Sequence, residues 1–97
     1  MRESEIQSKC TEYLRAKGVY YKKIVLANSS GTPDIFACIG GRFVAFEIKS
    51  EKGKPSELQL YNQRKIRECG GHCYIVYSYK QFKETVDEII KRESDRP

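Results

Sequence analysis

Three observations predict a mixed α/β fold, one sheet of about four strands flanked by helices in the order α-β-β-β-α-β-α. Segments with apolar residues at helical spacing open the chain, recur after Ser56 and close it. Between them lie short β-branched and aromatic runs. Two of those runs are joined by Gly40-Gly41, which reads as the centre of a hairpin turn. A chain of 97 residues has room for one core, so residues 1–97 are read as a single domain.

The first helix is expected over Glu3 to Lys17, where Ile6, Cys10, Tyr13 and Leu14 share a face and Gly18 stops the pattern. Val19 to Ala27 reads as a strand, ended by the turn-rich Asn28-Ser29-Ser30-Gly31-Thr32-Pro33. Asp34 to Ile39 and Phe43 to Lys49 follow as an antiparallel pair, the glycines between them supplying the positive φ angles of a two-residue turn. After the basic loop Lys52 to Pro55, Ser56 begins a helix whose stripe is read as Leu58, Tyr61, Ile66 and Cys69, closed by Gly70-Gly71. Cys73 to Tyr77 is a short buried strand. Ser78 and Gln81 have capping-box spacing, and Phe82, Val86, Ile89 and Ile90 give the last helix its apolar face. Residues after Arg92 are expected to fray.

Charge narrows the partners. Eighteen Lys and Arg against thirteen Asp and Glu leave a net +5, which favours a polyanion. The longest apolar run, Cys73 to Tyr77, is far short of the roughly 18 residues of a spanning helix, and MRESEIQ has no apolar signal segment. A soluble, unsecreted protein with no membrane partner is therefore expected, and Cys10, Cys38, Cys69 and Cys73 read as reduced buried thiols. The single histidine, His72, sits beside Gly70-Gly71, which disfavours histidine-based nucleases, hydrolases and phosphotransferases. Lys52-Gly53-Lys54-Pro55-Ser56 lacks the GxxxxGK[ST] frame, so a nucleotide cofactor has no support.

The hairpin arithmetic gives a candidate site. If Gly40 and Gly41 are the turn, opposed residues have numbers summing to 81, and Asp34 lies opposite Glu47. Asp34, Phe36, Cys38, Phe43, Ala45, Glu47 and Lys49 then share one face, and Ile35, Ala37, Ile39, Val44, Phe46 and Ile48 form the apolar face. Two acids with Cβ atoms about 5 Å apart repel unless a cation or a raised pKa compensates. Hard carboxylate oxygens suit Mg²⁺, and Lys49 one pleat beyond is placed to orient water or offset charge on phosphorus. The bland alternative is an exposed ionic edge at the start of a strand.

Gly31-Thr32-Pro33-Asp34, twelve intervening residues, and Glu47-Ile48-Lys49 together resemble the signature of the PD-(D/E)XK nuclease superfamily. The likeness is to the virus-type replication-repair nuclease family, VRR-NUC, in its stand-alone phage-like form. It covers about residues 3 to 77, including Glu3-Ser4-Glu5-Ile6-Gln7, Ser56-Glu57-Leu58-Gln59 and Cys69-Gly70-Gly71. The resemblance implies a restriction-endonuclease-like fold, Mg²⁺ or Mn²⁺ held by Asp34 and Glu47, and Lys49 assisting catalysis. The family's opening-helix Glu falls on Glu3 and its second-helix Gln on Gln59. On a helical wheel Glu3 adjoins the stripe Ile6, Cys10, Leu14 whereas Glu5 points away, although Ser4 and Gln7 also have capping-box spacing. Gln59 likewise has capping-box spacing from Ser56.

The implied activity is metal-dependent hydrolysis of DNA, with Lys22, Lys23, Arg42, Lys52 and Lys54 as candidate phosphate contacts. Similarity of stand-alone viral members to archaeal Holliday-junction resolvases implies branched DNA, a homodimer, a role in DNA repair and a place inside a bacterial or phage-infected cell. Flap cleavage and a noncatalytic DNA-binding module are the alternatives.

Overall fold

The seven elements occur in the expected order in a computed structural model that describes residues 1–95: α1 (Glu3–Ala16), β1 (Tyr20–Lys23), β2 (Ile35–Ile39), β3 (Arg42–Ile48), α2 (Glu57–Glu68), β4 (His72–Val76) and α3 (Tyr79–Ser94). The sheet order is β1-β2-β3-β4. The first two pairings are antiparallel, and β4 joins β3 in parallel after the crossover through α2. Among the described residues no helix is long and apolar enough to cross a membrane.

The β2–β3 hairpin has the register dictated by its turn. Gly40 and Gly41 have φ of 59° and 82°, the left-handed angles a two-residue turn requires. Ile39 pairs with Arg42 and Ile35 with Phe46, so the faces separate as the alternation demands. Ile35, Ala37, Ile39, Val44, Phe46 and Ile48 join Ile6, Cys10 and Leu14 of α1, Val76 of β4, and Phe82, Val86 and Ile89 of α3 in one core. On the opposite face Phe36 and Phe43 meet edge to face at 5.1 Å between centroids. α2 covers the β3–β4 half of that face: Gln59 reaches Glu47, and a Cβ on Gly71 would meet the Ile66 side chain at 2.8 Å.

Several expectations are corrected. β1 stops at Lys23, four residues before Ala27; the Ile24 N–H makes one further bond, to the Asp34 carbonyl, before the two strands part at the Gly31-Thr32-Pro33 turn. Asp34 lies just before β2 but stays in the ladder, donating its N–H to the Phe46 carbonyl at 3.0 Å and accepting from the Ile24 N–H at 2.8 Å. The phase of α2 also differs: Leu58, Tyr61 and Cys69 are exposed, while Gln63 is the buried residue of the helix. Only Cys10 and Cys73 are buried thiols, and burial raises them to about 12 and about 11 respectively; Cys38 and Cys69 are exposed.

At the N-terminus of α3 the Ser78 hydroxyl accepts from the Gln81 N–H, but Gln81 accepts from the Tyr77 N–H rather than completing a box with Ser78. The helix runs past Arg92 to Ser94, and Arg42 donates to the Glu93 carboxylate. Of the tail expected to fray, Arg96 and Pro97 lie outside the described residues.

Gly31 explains a constraint in the turn before Asp34. Its φ is +82°, and an added Cβ would lie 2.8 Å from the Leu58 carbonyl oxygen in α2. Gly31→Ala is therefore expected to lower unfolding free energy by about 2 kcal/mol or more, from left-handed strain plus a backbone clash. Urea unfolding checks this; an unchanged midpoint and slope would mean that the turn and α2 yield without cost.

Candidate active site

The open end of the hairpin brings Asp34 and Glu47 together. The two backbone hydrogen bonds of Asp34 hold it between β1 and β3, and its Oδ2 accepts from the Ile48 N–H at 2.7 Å. Glu47 is 2% exposed in the middle of the sheet. Its Oε1 accepts from Gln59 Nε2 at 2.9 Å, while its Oε2 is buried without a partner.

Burial pushes the Glu47 carboxyl up to about 8, with the charge of Asp34 and a hydrogen bond to it adding to the rise. Lys49 opposes that shift and Glu3 adds to it, so both charges act on Glu47. The crowded pair thus favours a bound proton in the place where a cation would otherwise offset the repulsion.

Gln59 combines its two expected placements. It forms the capping box with Ser56, donating its N–H to Ser56 Oγ at 3.1 Å and accepting from the Ser56 N–H at 2.8 Å on Oε1. Its remaining Nε2–H then points to Glu47. One amide therefore ties the start of α2 to the buried acid.

Glu3 and Glu5 separate clearly. Glu3 Oε2 accepts from the Ser50 N–H at 3.2 Å, just past β3, and lies 3.3 Å from where a Cβ on Gly53 would stand. Glu5 is exposed and folds back onto the Arg2 N–H at 3.4 Å, so the helix cap is at Arg2 and not at Ser4.

Lys49 donates its backbone N–H to the Val76 carbonyl at 2.9 Å, which fixes its position beyond Glu47. Lys22 pairs with Phe36 and so emerges on the Asp34 face; Lys23 is also exposed but pairs with Ile35, on the opposite face of the strand. Lys52 and Lys54 are exposed on the loop that passes Glu3 and Lys49. Arg42 is not in this group. It sits at the closed end of the hairpin, about 17 Å along β3 from Glu47, and is engaged by Glu93 and by His72 at 3.0 Å.

Sequence reasoning missed Gln63. It is 2% exposed, one turn beyond Gln59, and its Nε2 has no partner. The usable signal was its i+4 spacing from Gln59, which puts both amides on the sheet-facing stripe with Ile66.

Among the described residues no three His, Cys, Asp or Glu side chains converge to hold a metal ion. Asp34 and Glu47 form a pair, with Glu3 hydrogen-bonded to the Ser50 N–H and its charge felt by Glu47. A pair still fits Mg²⁺, which is commonly bound by one or two carboxylates with waters and substrate phosphates as its other ligands. Glu47 Oε2 accepts no hydrogen bond from a protein N–H or hydroxyl donor, so it can serve as a ligand oxygen.

No family model matches the sequence, and no curated protein matches it. Among solved structures, one described as "VRR_NUC domain" aligns with a TM-score of 0.77 and 28% identity, covering 88% of this chain and 94% of that one. The order α-β-β-β-α-β-α and the four-stranded mixed sheet match the fold of that VRR-NUC domain, which supports the resemblance to the VRR-NUC nuclease family.

Proposed function

We propose that the protein is a Mg²⁺- or Mn²⁺-dependent endodeoxyribonuclease that cuts branched DNA, four-way junctions foremost, with residues 1–97 as one nuclease domain. The observation that carries this reading is the buried Glu47 carboxyl beside Asp34, with one oxygen unpartnered. Asp34 and Glu47 would hold the ion, with Glu3 beside them. A divalent ion bound there would lower the pKa of water and neutralise charge on the phosphate.

The protein's own groups do the rest. Gln59 fixes Glu47 Oε1 so that Oε2 remains available. Lys49 orients the attacking water and offsets charge developing on phosphorus, so no side-chain nucleophile is needed. Lys22, Lys23, Lys52 and Lys54 contact flanking phosphates and make affinity fall with salt. One acid pair per chain cuts one strand at a time, so paired cuts call for a C₂ homodimer with equivalent sites. Work on branched DNA inside a bacterial or phage-infected cell, in repair, goes with this reading.

The test is to measure mass in solution and map cuts on a four-way junction, a 5′ flap and linear duplex under identical Mg²⁺. Symmetric paired incisions by a dimer are expected, with no cutting in chelator and binding but little turnover in Ca²⁺. Asp34→Asn should keep binding and lose cleavage, and Lys49→Ala should slow single-turnover cleavage by about 10²-fold. Cleavage undiminished in excess chelator would sink the metal mechanism. A monomer preferring flaps would replace the junction assignment, and binding with no cleavage under either metal would leave a DNA-binding module.

A further inference from the structure

The loop between β1 and β2 presents two aliphatic side chains that packing does not explain. Val25 is 87% exposed and Leu26 91%. The loop that carries them is tied at both ends. At its start the Ile24 N–H donates to the Asp34 carbonyl at 2.8 Å. At its far end Asn62 Nδ2 donates to the Ser30 carbonyl at 3.3 Å, Thr32 Oγ1 donates to the Ser29 carbonyl at 3.1 Å, and Gly31 lies against Leu58.

Val25 is thus one residue from a backbone hydrogen bond to Asp34, a member of the acid pair. The surroundings fit a polyanion. Lys22 and Lys23 precede the aliphatic pair with Ile24 between, and no Asp or Glu occurs from Val19 to Pro33. A nucleic-acid surface with two projecting aliphatics at its centre has a physical use, since apolar side chains enter base steps and unstack them.

We propose that Val25 and Leu26 form an apolar wedge whose ligand is the exposed face of unstacked bases at a DNA branch point. The inference rests on the nuclease reading for the position of the DNA. It goes beyond it by assigning branch recognition to these two residues. The wedge would hold the branch open while Asp34 and Glu47 face the neighbouring phosphate.

The test uses the full chain carrying Val25→Ser and Leu26→Ser together; both sites are exposed, so thermal unfolding should be unchanged. Four-way and 5′-flap probes carry 2-aminopurine at the branch point, and Ca²⁺ replaces Mg²⁺ for binding. Wild type should raise the 2-aminopurine fluorescence, and the double variant should bind without that rise. In Mg²⁺ the variant should cut a fully paired junction about tenfold or more slower, and match wild type when bases at the branch are already unpaired. Equal fluorescence and equal rates in the two proteins would overturn the wedge while leaving the nuclease intact. A fall in solution mass in the variant would overturn it too, by assigning the pair to contact between copies. A fluorescence rise confined to wild type, with no cleavage by either protein in any metal, would uphold the wedge and refute the nuclease reading.

Discussion

Glu47→Gln is expected to reduce single-turnover cleavage at saturating Mg²⁺ by about 10³-fold or more while leaving the protein folded. The substitution keeps the shape of the side chain. Its carbonyl oxygen can still accept from Gln59 Nε2, and its amide can donate toward Asp34. What disappears is a carboxylate oxygen able to ionise against a bound cation, at a position where no protein N–H or hydroxyl donates to it. Gln59→Ala should have a smaller effect, about 10- to 100-fold, because it removes the support of a ligand rather than the ligand. Glu5→Gln serves as the control: Glu5 is spent on the Arg2 N–H at the outside of α1 and should not affect the rate. A folded Glu47→Gln protein cutting at the wild-type single-turnover rate would remove Glu47 from the centre of the reaction.

The contrast between Glu47 and Arg42 shows which kinds of placement were legible in the sequence. Two glycines with positive φ fix a turn, a turn fixes a register, and a register fixes every facing pair along the hairpin. The same arithmetic sets Arg42 opposite Ile39, at the far end from Glu47, so its exclusion from the site follows from the rule that placed Asp34. α2 was less legible because its inward stripe is polar. Hydrophobic periodicity picks out Leu58, Tyr61 and Cys69, yet the sheet face beneath the helix carries a buried acid, and Gln59 and Gln63 are the residues turned toward it. The end of β1 depends on a partner strand: Ile24, Val25 and Leu26 have every local preference for a strand, but beyond the Ile24 bond to Asp34 no partner runs alongside them.

The buried acid also makes stability depend on pH, and in an unusual direction. The unfolded Glu47 titrates near 4.5, whereas in the fold it titrates at about 8, so between these values the native state binds more protons than the unfolded one. Stability from this group is then fully present below pH 4.5 and is lost as pH rises through the window. In chelator, urea unfolding should therefore show a less stable protein at pH 8 than at pH 5.5, with Glu47→Gln removing most of the difference. Added Mg²⁺ should flatten the wild-type profile as well, because a bound cation favours the ionised pair and stabilises the state that binds it. Glu47→Gln should show little of that metal response. Equal wild-type stability at the two pH values would mean that Glu47 is ionised in the fold without a metal, with Lys49 carrying more of the compensation than its geometry suggests; metal stabilisation undiminished by Glu47→Gln would move the ion away from this pair.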